Sequence, residues 1–186
     1  MIEFYKEIFK LKTLLRKGWV MRDVCDKGSG RVESDGEHIF STALIAMIVM
    51  KKKNLKLDEA KVLKLALIHE LGEIDFGDVT PFDNVSPKEK HLGEKNCVER
   101  LAKTYDLPEL LELWNEYEEG KTLEAQFVKK MDYLDAAMQS EVYGEQIGGE
   151  KGKKLKDDFY FYSLDKIQGF DEFLKQKGKD DNKEGN

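Results

Sequence analysis

The chain is short of most features that mark a secreted, membrane-spanning or polymer-binding protein. Only Cys25 and Cys97 are cysteines, too few for a disulfide framework, and no signal peptide is legible ahead of them. A reducing cytoplasm is the expected compartment. The most apolar run, Ile39 to Met50, ends at Lys51-Lys52-Lys53; it is too short to span a bilayer and reads as a buried core helix. A net charge of −6 leaves no basic excess to displace counterions from a phosphate backbone, which argues against a long nucleic-acid partner. A small phosphorylated ligand needs only one local cationic pocket and stays open. Only 3 prolines interrupt the 186 residues, and the charged residues are mostly Lys and Glu, so an all-α fold is expected. That length suits one domain with a substantial core. With 40% hydrophobic and 37% charged residues, it should be soluble, globular and heavily solvated at its surface.

Phe4, Ile8, Leu11 and Leu15 share one helical stripe. Asp23 to Glu37, rich in Gly, Ser, Asp and Lys, reads as a loop, and a largely apolar central helix is expected from about His38 to Lys53. Asp58 caps a third helix, with Val62, Leu65, Ala66, His69 and Leu71 running inward. Gly77-Asp78-Val79-Thr80-Pro81 reads as a loop. Ser86-Pro87-Lys88-Glu89 joins a capping Ser, Pro at the first position and Glu at the third, which predicts a helix running to Thr104. A short helix should span Leu107 to Glu118. Thr122 caps a long one, with Ala125, Val128, Met131, Asp132, Ala136 and Gln139 on a single face. Lys151 to Lys154 reads as a charged connection, and Asp165 as the start of a last amphipathic helix through Ile167, Phe170 and Leu174. One domain is expected over residues 1–177 and a disordered polar tail over 178–186.

Histidine is scarce too, with 3 in the chain, and two of them sit on apolar helices. His38 follows Glu37, and His69 lies deep in the next helix with Glu70 and Glu73 just beyond it. Burying imidazole beside carboxylates costs desolvation unless something pairs with them. A divalent cation would do so, and Asp132 on the long late helix supplies another inward carboxylate. Two imidazoles and two carboxylates suit Mn2+, Co2+, Fe2+ or Zn2+ better than Ca2+. Spacing alone leaves the plainer readings open: histidines hydrogen-bonded in the core, and Asp132 paired with Lys129 or Arg100.

In order and approximate spacing, Glu37-His38, His69-Glu70-Leu71-Gly72-Glu73, Gly77-Asp78-Val79-Thr80-Pro81 and Asp132 resemble the HD-domain superfamily of metal-dependent phosphohydrolases. Glu124 to Asp132 looks like the family's late helix, and Arg16-Lys17-Gly18-Trp19-Val20 like the substrate segment of its 5'-deoxynucleotidase branch. The resemblance covers roughly Lys10 to Tyr143. It implies an all-helical bundle around a single metal, often within a homodimer. His38, His69, Glu70 and Asp132 would be the ligands, Glu73 and Asp78 the catalytic carboxyls, and Arg16, Trp19 and Thr80 the substrate contacts. The family normally has Asp where this chain has Glu70; the added methylene moves the carboxylate by about 1.5 Å. The segment Ser34 to His38 is also more polar than the family usually shows.

The chemistry so implied is hydrolysis of a (deoxy)nucleoside 5'-monophosphate. The ion would polarise a phosphoryl oxygen, Glu73 or Asp78 would orient or move protons, and Arg16 would grip phosphate through its planar fork. Arg22 competes with Arg16 for that role or pairs with Asp23 or Asp26 at the surface. Trp19 offers a face for base or sugar, or else anchors the first helix. Thr80 contacts phosphate or merely satisfies its loop. Lys88 and Lys90 could reach the pocket, while His91 is expected to be exposed. The alternatives are another HD phosphohydrolase acting on a triphosphate or phosphodiester, and a nucleotide-binding protein that has lost turnover.

Overall fold

The structure, a computed structural model, describes residues 1–80 and 82–167, with side chains through Phe159. Among them are nine helices and no strand beyond a single bridge between Leu15 and Ser34. They are α1 (Ile2–Thr13), α2 (Lys17–Val20), α3 (Asp35–Lys53), α4 (Glu59–Ile68) and α5 (Glu73–Phe76), followed by α6 (Pro87–Tyr105), α7 (Pro108–Glu119), α8 (Leu123–Ile147) and α9 (Gly149–Ile167). The all-helical expectation holds. Among the described residues, no helix is long and apolar enough to cross a membrane.

Local chemistry explains most boundaries. Asp58 accepts from the Lys61 amide at the head of α4, and Thr122 from the Ala125 amide at the head of α8. Ser86 and Glu89 form a capping box ahead of α6, with Pro87 in its first turn. A second box, Ser34 with Glu37, starts α3 at Asp35. The loop expected up to Glu37 therefore ends at Ser34, and His38 sits inside the first turns of its helix. Gly36 permits this placement: a Cβ there would lie 3.3 Å from the Leu11 carbonyl oxygen.

α3, α4 and α8 pack on one another, and α7 packs on both α4 and α8. Val62, Leu65, Val98, Leu101, Phe127 and Val128 lie fully buried between helices. Burial of such side chains is worth about 1.5–3 kcal/mol each. The run expected to be wholly buried is divided. Ile39, Ala43, Ala46 and Met50 face the core, while Phe40, Leu44, Met47 and Ile48 are exposed.

The end of the described chain also differs from the sequence expectation. Lys151 to Lys154 lies within α9, which begins at Gly149 rather than at Asp165. α9 packs along α8 through a glycine pair. A Cβ on Gly152 would come 2.2 Å from the Gly144 carbonyl oxygen, and one on Gly144 would come 2.8 Å from the Gly152 oxygen. Only backbone fits there. Trp19, Val24, Val32, Tyr143 and Leu155 form a smaller cluster that ties α2 and the following loop to α8 and α9. Phe170, Leu174 and the tail from Gly178 lie outside the described residues.

Candidate active site

His38 on α3, His69 at the end of α4, Glu70 just after it and Asp132 on α8 converge, each offering one ligand atom within 4.8 Å of the others. Their nitrogens have defined roles. His38 Nδ1 lies 2.7 Å from the Asp135 carboxylate and His69 Nδ1 lies 2.7 Å from the Ala66 carbonyl oxygen. Both partners only accept, so both Nδ1 atoms donate, and each Nε2 atom is the one that presents a lone pair when its ring is neutral. The two Nε2 atoms stand 3.2 Å apart. Asp132 lies 3.2 Å from His38 Nε2, and Glu70 lies 3.6 and 3.7 Å from the Nε2 atoms of His38 and His69. Glu70, despite its extra methylene, reaches the set.

Four acceptors aimed at one point attract positive charge. Burial and Arg16 oppose protonation of His38, but hydrogen bonds to Asp132 and Asp135 outweigh them and push its imidazole up to about 10. Burial also works against ionised Asp132, yet the His38 hydrogen bond and both imidazoles hold it well below the usual carboxylate range. Glu70 behaves alike: burial is overcome by Arg16 and the two histidines, and it titrates at about 2. A cation that displaces the His38 proton would meet two neutral nitrogens and two anionic oxygens, a set that fits a divalent transition metal. The plainer pairing of Asp132 does not occur: Arg100 binds Glu7 and Asp75, while Lys129 donates to the Glu118 carbonyl.

His69, Glu70 and Asp132 line a cavity of about 910 Å3, with His38 fully buried behind them; the volume is within the usual range for small-molecule sites. Arg16 Nη1 lies 2.7 Å from Glu70 and 3.9 Å from Asp35. Glu73 also lines it, 2% exposed with Oε2 unpartnered among the described residues. Burial first, then Glu70 and Asp78, raise its pKa well above the ordinary value. Asp78 accepts from the Lys17 amide at 2.6 Å, and Lys17 Nζ contacts Asp83. Thr80 binds Asp83 through both amide and hydroxyl. Trp19 is 3% exposed, its indole N–H on Glu33 and its ring against Tyr143 and Phe159; it anchors α2 and lines the cavity as well.

Arg22 binds neither Asp23 nor Asp26; its Nη1 donates to the Gly18 carbonyl. Lys88 is exposed. Lys90 does reach the cavity, 3.5 Å from Glu73 and 3.3 Å from Glu94. His91 has a half-exposed side chain, is bonded to Glu118 and also lines the wall.

Sequence reasoning missed Asp135, Tyr117, Asp35, Phe82 and Phe159. Asp135 had a signal, lying three residues beyond Asp132 on the same helical face. Asp35 had one in the Ser34–Glu37 box. Tyr117, which donates to Asp132 at 3.3 Å, comes from a different helix and had none.

Comparison with known proteins agrees with this geometry. A family profile described as HD domain matches residues 8–180. The chain is 37% identical over 153 residues to the Dictyostelium discoideum protein named 5'-deoxynucleotidase HDDC2, covering 78% of each. It is 34% identical to the Homo sapiens protein of that name, covering 86% of this chain and 74% of that one. A crystal structure of the PH0347 protein from Pyrococcus horikoshii superposes with a TM-score of 0.72 at 28% identity, over 95% of both chains. A predicted metal-dependent phosphohydrolase from Magnetospirillum magnetotacticum gives 0.66 at 26% identity, over 90% of this chain and 81% of that one. With that profile spanning nearly the whole chain, and its two histidines and two carboxylates gathered at one point, the chain belongs to the HD-domain family.

Proposed function

We propose that the chain is a metal-dependent 5'-deoxynucleotidase, releasing phosphate from (deoxy)nucleoside 5'-monophosphates. The observation that carries this reading is the meeting of two imidazole Nε2 atoms and two carboxylates beside Arg16 at one cavity. The activity named for the relatives agrees with it. His38, His69, Glu70 and Asp132 would hold one divalent transition metal, and Mn2+, Co2+, Fe2+ and Zn2+ are all compatible with these donors.

When bound, the ion supplies Lewis-acid polarisation of a phosphoryl oxygen. Arg16 presents its guanidinium fork to the non-bridging phosphate oxygens. Glu73 and Asp78, which stand outside the donor set, orient the attacking water and move protons between it and the leaving 5' oxygen. Thr80 and Trp19 bound the space for the rest of the substrate. The exposed stripe of Phe40, Leu44, Met47 and Ile48 supports assembly as a homodimer. Two free cysteines suit a reducing cytoplasm.

Phosphate release across a nucleotide panel, with Mn2+ or Co2+ added to chelated protein, tests the reading. Phosphate rather than pyrophosphate or tripolyphosphate should appear. His69→Ala should lose both ion and turnover. Glu73→Ala should keep the ion and bind nucleotide while kcat falls about 10²–10⁴-fold. Metal-loaded protein that releases no phosphate from any nucleotide would overturn the proposal, as would full activity in Glu73→Ala.

A further inference from the structure

Arg22, Phe82 and Phe159 line the cavity that holds the donor set, and the phosphate chemistry uses none of them. They come from three separate places: the turn after α2, the loop between α5 and α6, and α9. The Arg22 Cζ stands 5.6 Å from the Phe82 ring centroid and 4.9 Å from that of Phe159, both within cation–π reach. Its Nη1 is held by the Gly18 carbonyl at 2.8 Å. Among the described residues no carboxylate lies within ion-pair distance of Arg22. Phe159 rests on Trp19 with ring centroids 4.2 Å apart and planes tilted by 32°. Phe82 is 70% exposed. One exposed ring means little alone, but this one shares a guanidinium with a second ring on the same cavity wall.

We infer that Phe82, Phe159 and Arg22 form the subsite for the nucleobase. Phenyl rings offer stacking to a planar heterocycle, and the guanidinium offers donors to its carbonyl or ring-nitrogen acceptors. A sugar phosphate supplies neither a stacking face nor acceptors of that kind. The inference rests on the nucleotidase reading and deepens it: the donor set and Arg16 take the phosphate, and this cluster reads what the phosphate is attached to. Because Phe159 stands on α9, the subsite depends on α9 being docked.

The test compares deoxyadenosine 5'-monophosphate with 2-deoxyribose 5-phosphate in wild type, Phe82→Ala and Phe159→Ala, with Phe9→Ala as an exposed aromatic control on α1. Wild type should favour the nucleotide, and the kcat/KM ratio between the two compounds should fall about tenfold in either cavity variant, carried by KM. The control should keep the ratio. Phe82 is largely exposed, so its variant reports even if Phe159→Ala unfolds. Calorimetric binding of the same compounds gives a readout independent of turnover. Wild type that binds the two equally, or a ratio unchanged in Phe82→Ala, overturns the inference. Absence of phosphate release overturns the nucleotidase reading instead, and the binding comparison still decides the subsite.

Discussion

Asp135 decides which nitrogen of His38 faces the donor set. Its carboxylate accepts a hydrogen bond from Nδ1–H at 2.7 Å, and an amide there could donate to Nδ1 and turn the protonated nitrogen inward. Asp135→Asn should weaken Co2+ or Mn2+ binding about 10–100-fold by calorimetry; unchanged affinity would remove Asp135 from this role. Asp35 gives a prediction of another kind. It is fully buried, and neither oxygen has a hydrogen-bond partner among the described residues. Burial, then Glu70, raises its carboxyl to about 7 against the pull of Arg16. The folded chain thus keeps a proton that the unfolded chain loses near pH ~3.9. The stability linked to this group is complete below that value and is lost as pH rises through about 7. Asp35→Asn in chelated protein should flatten that slope. Above pH 7 it should raise Tm by about 2–8 °C in calorimetric scans, taking 1–2 kcal/mol at 2–4 °C each. A lower Tm at pH 8 would show that ionised Asp35 is satisfied.

Gly152 of α9 serves contact rather than flexibility. With 2.2 Å between a Cβ on Gly152 and the Gly144 oxygen, Gly152→Ala must push α9 off α8. The expected cost is about 1–3 kcal/mol, a Tm loss of several degrees, together with a rise in nucleotide KM as Phe159 leaves the cavity wall. A thermal scan and KM on one preparation check both; normal values for each would mean that the crossing tolerates a methyl group. This contact also explains why α9 was hidden in the sequence. Gly-Gly-Glu-Lys-Gly reads as a connection by local propensity; Gly148 and Gly149 do make a positive-φ turn there, and only the neighbouring helix shows why Gly152 is glycine. The heads of α4, α6 and α8 were legible because Asp58, Ser86 and Thr122 cap through bonds to residues close in sequence. Of the site, the histidines, Glu70 and Asp132 stood out through charge on apolar faces and through resemblance. Phe82 and Phe159 did not, and Arg22 stood out only as a rival phosphate contact, because the meeting of the three is entirely tertiary.

At the scale of the molecule, α3 gives one face to the core and leaves another in water. Phe40, Leu44, Met47 and Ile48 are 65%, 41%, 41% and 52% exposed, and a second copy of the chain would bury them. Phe40→Glu with Ile48→Glu should halve the mass seen by light scattering while the helical signal remains; a wild-type monomer would remove the dimer. A different constraint comes from the start of α2. Arg16 grips Glu70, Lys17 braces Asp78 and Asp83, and Gly18 holds Arg22. Three consecutive residues thus fasten three separate parts of the cavity, so their register is fixed. One residue inserted between Leu15 and Arg16 would displace the Arg16 and Lys17 fastenings together, while the local Gly18–Arg22 bond would move as a unit. The exposed stretch Gly28–Gly30 bonds only within its own turn, so length variation among natural variants should gather there and spare Leu15 to Gly18.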